Sequence, residues 1–203
     1  MTKIKNFRIN LRPREIARQL KAQAKLQITP ALEASIEHAV NDSKRLLQTS
    51  AVYTTLTRST AEKATALPLA DPTVAASAIA VTIGTALEAE ITASAGRGDA
   101  LQSALLGALR EEALQQAVHF IVRLLEDQAK EEECEMSAPR DVKEGVLLNS
   151  LGSLLGIQRI GIDLDKDNPK LPPYARLVWT VWSPKVRVKT PAKPAGRPEK
   201  AAV

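Results

Sequence analysis

One stretch dictates most of what this chain can become. From Asp99 onward, Leu101, Leu105, Ala108, Leu109, Ala113, Ala117, Phe120, Ile121, Leu124 and Leu125 recur at helical spacing. That spacing puts them on one broad face of a long helix, with Asp99 as its N-cap. A stripe so wide needs cover from more than one neighbouring element. Aromatic residues make up only 3% of the 203 positions, so Leu, Ile, Val and Ala must supply most of that cover.

The remaining segments divide between helix and strand. Residues 7–12 alternate Phe7, Ile9 and Leu11 with Arg8, Asn10 and Arg12, the period of a half-buried strand. Ile4 is out of phase, so this strand should begin after it. Pro13 suits a first helical turn and opens a helix to about 24, and Thr29-Pro30 caps another over 30–47. Residues 50–57 are rich in Thr and β-branched side chains and read as a strand, and 59–71 as a connection. Asp71-Pro72 should cap a short helix to about 77, followed by a buried strand over 78–83 that ends at Gly84. A helix over 86–94 stops at Gly96-Arg97-Gly98, and one over 142–155 stops at Gly156. Strands over 157–164 and 177–182 close the chain. The strands are too many for a bundle and the long helix too central for a sandwich, so the class is α+β.

Charge is distributed unevenly. The net +5 equals the charge of 185–203, which holds six bases, one acid and Pro191, Pro194 and Pro198. This is the composition of an extended or disordered tail, leaving 1–184 as one neutral globular domain. Within that domain 1–25 carries +7 and 26–184 carries −7. Phe7 is the only aromatic among the N-terminal bases, so nucleic acid is an unfavoured partner. The single cysteine, Cys134, excludes an intrachain disulfide and fits a reducing, cytoplasmic setting. No apolar h-region follows Met1, and no apolar run has the length of a membrane span.

Tests for chemistry return little. His38, His119 and Cys134 lack any metal-ligand spacing. Asp163, Asp165 and Asp167 open like a calcium loop, but Asn168 and Tyr174 stand where that loop needs Gly and Glu. Cys134 sits among Glu131, Glu132, Glu133 and Glu135, which disfavour its thiolate. Trp179 and Trp182 fall on opposite faces of their strand. No catalytic residue and no metal ligand emerges.

The run Ala80-Val81-Thr82-Ile83-Gly84-Thr85-Ala86-Leu87-Glu88, followed by Gly98-Asp99-Ala100-Leu101-Gln102-Ser103-Ala104-Leu105-Leu106-Gly107-Ala108-Leu109, resembles the reactivation domain of cobalamin-dependent methionine synthase and its short free-standing relatives. Ile160-Gly161-Ile162-Asp163-Leu164, Leu171-Pro172-Pro173 and Pro184 continue the resemblance in order. It implies a largely antiparallel sheet packed with the long central helix. It implies S-adenosylmethionine as ligand and a corrinoid protein or methyltransferase as partner, with cobalamin reached only through that partner. Two positions depart from the family pattern. Met136-Ser137-Ala138-Pro139-Arg140 replaces a Pro-Gly-Tyr turn, and Arg176-Leu177-Val178-Trp179 puts bulk where the family has small residues. Arg140 and Tyr174, on the two loops the resemblance assigns to the cleft, and Glu88, the early helical Glu, are the cofactor-binding candidates. Two readings follow: a non-catalytic accessory of cobalamin-dependent methyl transfer, or a scaffold of the same fold that has lost the cofactor and holds a protein partner.

Overall fold

The computed structural model describes residues 1–23, 25–66, 68–165 and 169–185. Expectations for 186–203, including most of the basic tail, lie outside the described residues, as does Asp167. The elements are β1 (Thr2–Lys5), α1 (Pro13–Gln23), α2 (Pro30–Ser43), β2 (Ser50–Thr57), α3 (Arg58–Thr65), β3 (Ala75–Thr82), α4 (Ala86–Gly96), α5 (Ala100–Glu131), β4 (Cys134–Met136), β5 (Arg140–Asp141), α6 (Gly145–Leu155) and β6 (Ala175–Pro184). A 3-10 turn, Ile157–Ile160, follows α6. Among the described residues no helix is long and apolar enough to cross a membrane.

The strands form one antiparallel sheet in the order β1-β2-β3-β6-β4, with β5 also on β6. β3 is the axis. It pairs over eight residues with β2 on one edge and with β6 on the other, and nearly all of it is buried. Its side chains alternate between two cores. Ile79 and Val81 face the larger one, built with α1, α2 and α5, while Ala78 and Ala80 face a second, built with α6 and the 3-10 turn. The α+β class is therefore observed, with the long helix α5 against one face of the sheet.

α5 follows its pattern closely. Asp99 Oδ1 accepts from the Gln102 N–H at 2.9 Å, and Leu105, Leu109, Ala113, Ala117, Ile121 and Leu125 are buried. Leu101 and Leu124 are exposed instead, at 50% and 37%, because they lie at the stripe's margins. Glu112 occupies the middle of the stripe and is fully buried. Arg12 forks onto it at 2.7 and 3.2 Å, and Gln116 Nε2 donates to it at 3.0 Å. This pairing is what makes a buried carboxylate tolerable.

Four expectations are corrected. The first strand is Thr2–Lys5, not 7–12. Asn6 takes φ 55° and turns the chain off the sheet edge, so among the described residues 7–12 has no partner strand. Its alternation still marks the inward side: Leu11 is buried, and Phe7 stacks on Phe120 with centroids 4.6 Å apart. Second, 59–71 contains α3, whose only buried residues are Ala61 and Thr65, too little for a hydrophobic period. Third, no helix follows Asp71-Pro72, a cis peptide in a turn. Pairing of Ala75 with both Thr57 and Trp182 overrides the helical preference of its alanines. Fourth, 157–164 is not a strand. Gly156 and Gly161 both adopt left-handed conformations that bracket the 3-10 turn, and Ile157 and Ile162 are buried as a cap under α6.

Removing Arg12 leaves Glu112 buried without its cation. Because Arg12 is itself 42% exposed, Arg12→Ala should lower unfolding free energy by about 1–2 kcal/mol. Adding Glu112→Gln should recover part of that loss, since no buried charge remains. Urea denaturation of the single and double variants checks both signs.

Candidate functional site

On the side of the sheet where β5 meets β6, a cleft of about 400 Å³ opens between α5, the chain from β5 into α6, and 170–177. Each wall has a local cause. Glu111 and Leu114 come from one face of α5, a turn apart. Ser137-Ala138-Pro139 interrupts the outer strand and separates β4 from β5. The Ser137 hydroxyl accepts from Val181 N–H at 3.1 Å across the gap. β5 then rejoins β6, Val142 N–H donates to the Leu177 carbonyl at 2.9 Å, and Glu144 bridges to Lys170. The turn at Pro172-Pro173 closes through Ala175 N–H to the Pro172 carbonyl at 3.0 Å.

The dominant polar feature is a fork. Arg176 Nε and Nη2 donate to Asp141 Oδ1 and Oδ2 at 2.6 and 2.8 Å, the bidentate geometry that is strongest for this pair. The hydrogen bonds from Arg176 hold the Asp141 carboxyl below the ordinary aspartate value against the opposing effect of burial, helped by the charges of Arg176 and Lys143. Arg176 is raised reciprocally, first by its bonds to Asp141 and then by the charges of Asp141 and Glu111.

The cleft thus sets Leu114, Leu171, Pro172 and Pro173 beside charges of both signs: Glu111, Asp141 and Glu144 against Lys143, Lys170 and Arg176. It offers no hydroxyl, thiol or imidazole among its lining residues. An amphipathic, zwitterionic ligand matches it, with a flat apolar part on the prolines, a carboxylate toward Arg176 or Lys170, and an ammonium or vicinal hydroxyls toward Glu111 or Glu144. Among the described residues no three His, Cys, Asp or Glu side chains converge as a metal site. His38 is exposed and pairs with Asp42 at 2.8 Å, and Cys134 is buried in the larger core.

None of the three candidates from sequence is among the lining residues, although Arg140 and Tyr174 each adjoin lining residues in the chain. Arg140 is exposed in β5 opposite Trp179. Tyr174 is half-buried between the two cores, and its carbonyl accepts from Ile83 N–H at 3.1 Å. Glu88, on α4, accepts from Arg110 at 2.9 Å, and Arg110 also reaches Glu111 at 3.4 Å, so a chain of charge runs from Glu88 to the cleft. Sequence reasoning missed Asp141 and Glu111 and counted Arg176 only as bulk. A charge between Ala175 and Leu177 in an otherwise apolar strand was the available signal. As expected, Trp182 is buried in the larger core, whereas Trp179 packs on the opposite face.

No family profile matches the sequence, and no curated protein does. Among solved structures, the crystal structure of the MetH reactivation domain bound to AdoHcy superposes with a TM-score of 0.59, covering 90% of this chain and 78% of that one at 10% identity. The fold is therefore that of the MetH reactivation domain.

Because Asp141 titrates lower folded than unfolded, its pairing contributes stability above the unfolded value, near 4, and that contribution disappears as pH falls through the folded value. Asp141→Asn should therefore melt lower than the parent at neutral pH, with the gap narrowing as pH drops below about 4. Parallel melting curves across that range would show that the fork contributes nothing.

Proposed function

We propose that this protein is a relative of the reactivation domain that binds an S-adenosyl ligand in the cleft and serves cobalamin-dependent methyl transfer by docking on a corrinoid protein. The observation that carries this reading is the likeness of fold over nine tenths of the chain to a domain crystallised with AdoHcy. The mixed apolar and zwitterionic lining of the cleft supports it. When bound, S-adenosylmethionine would supply an electrophilic methyl group. The chain's own residues would hold it: Arg176 or Lys170 at its carboxylate, Glu111 or Glu144 at its ribose hydroxyls or amine, and the Leu171-Pro172-Pro173 turn against its adenine. Arg140 and Tyr174 adjoin this lining in the chain, and Glu88 connects to Glu111 through Arg110.

One observation favours the second reading, a scaffold that has lost the cofactor. Arg176 already spends its fork on Asp141, so a ligand carboxylate must compete with a charge-assisted pair.

Calorimetry with S-adenosylmethionine and with S-adenosylhomocysteine separates the two. Saturable binding that Arg176→Ala weakens about tenfold or more supports the first. Silence toward both ligands, and toward a corrinoid protein by sedimentation, removes it.

A further inference from the structure

The sheet has an open edge far from the cleft. Among the described residues β1 pairs only with β2, in the register Thr2–Tyr53, Lys3–Val52, Ile4–Ala51 and Lys5–Ser50. Asn6 N–H donates to the Thr49 carbonyl at 2.8 Å, the next pair in the same register. Bonded and non-bonded pairs alternate along an antiparallel ladder. Ile4 and Thr2 therefore turn their backbone groups inward to β2, and Lys3 and Lys5 turn theirs out to the free edge.

The side chains follow the same alternation. Ile4 packs toward the larger core. Lys3 and Lys5 point to the opposite face, where Val52 belongs to the second core and the 3-10 turn lies. Lys3 Nζ donates to the Arg159 carbonyl in that turn. Lys3, Lys5 and Arg159 are all exposed, and none is among the ion pairs of the described residues. The Lys3 ammonium is held below the ordinary lysine value, first by loss of hydration and then by repulsion from the charges of Lys5 and Arg159.

We infer that the β1 edge is a docking strand for an extended acidic segment of a protein partner, which adds one strand to the sheet and sets alternate carboxylates against Lys3, Lys5 and Arg159. The backbone groups of Lys3 and Lys5 supply the ladder, and the cations choose the sequence. A second copy of β1 is the wrong occupant, because it would set lysine against lysine. An acidic strand with β-branched residues at the intervening positions satisfies both faces. This surface is independent of the cleft and of any ligand there.

A fluorescein-labelled octapeptide alternating Glu and Val tests the inference by anisotropy on the full chain. Saturable binding is expected. The double variant Lys3→Glu/Lys5→Glu should weaken it about tenfold or more while melting like the parent, since both lysines are exposed. A peptide of equal charge, N-methylated along one edge, should not bind, because charge without a ladder is insufficient. Equal binding by the N-methylated peptide or by the charge-reversed variant overturns the proposal. So does tighter binding of a single-stranded oligonucleotide of matching charge, or the absence of saturable binding by the plain peptide at low salt.

Discussion

Everything in this fold is hung on β3. A strand bonded on both edges for its whole length and covered on both faces has no solvent alternative for its backbone. Pulling it out would orphan two ladders at once. That is why the segment is a strand although alanine, its commonest residue, prefers helix. The same strand sorts the molecule into layers. Its larger side chains meet the long helix and the N-terminal helices, and Ala78 and Ala80 meet α6 and the 3-10 turn. The charged cleft and the open β1 edge lie at opposite sides of the sheet that β3 holds together.

What was legible in the sequence was periodicity backed by a cap. The helix after Asp99, the helix after Thr29 and the strand Ser50–Thr57 all announce themselves, because their patterns are long and their boundaries carry side-chain chemistry. Thr29 Oγ1 accepts from Leu32 N–H at 3.3 Å as its position suggests. What was illegible depended on partners. Residues 7–12 have a strand's alternation and, among the described residues, no neighbour to pair with. Residues 157–164 have a strand's composition, yet two left-handed glycines fold them back. α3 is fixed by Arg58, which binds Glu62, Asp71 and the Leu69 carbonyl, a polar staple that leaves no hydrophobic trace. Glu112 is the instructive intermediate: a charge inside an apolar stripe signals a buried partner without saying that the partner is Arg12, a hundred residues away.

The cleft shows the same limit at the level of function. Order and spacing pointed to two loops that border the cleft, and the fold agrees with that resemblance. The wall residues Glu111, Asp141 and Arg176 come from three separated segments, and only the pairing of β5 with β6 brings Asp141 against Arg176. A bidentate fork across strands has no signature in a single sequence, because neither partner is unusual where it stands.

The small side chains of β3 carry one further consequence. Ala78 and Ala80 set how closely α6 approaches the sheet, and the residues just before α6, Lys143 and Glu144, form a lip of the cleft. The aperture of the cleft is thus gauged by methyl groups in the second core rather than by its own lining. Related chains could widen or narrow their mouths by exchanging alanine for valine in the core, leaving every residue that would touch a ligand unchanged.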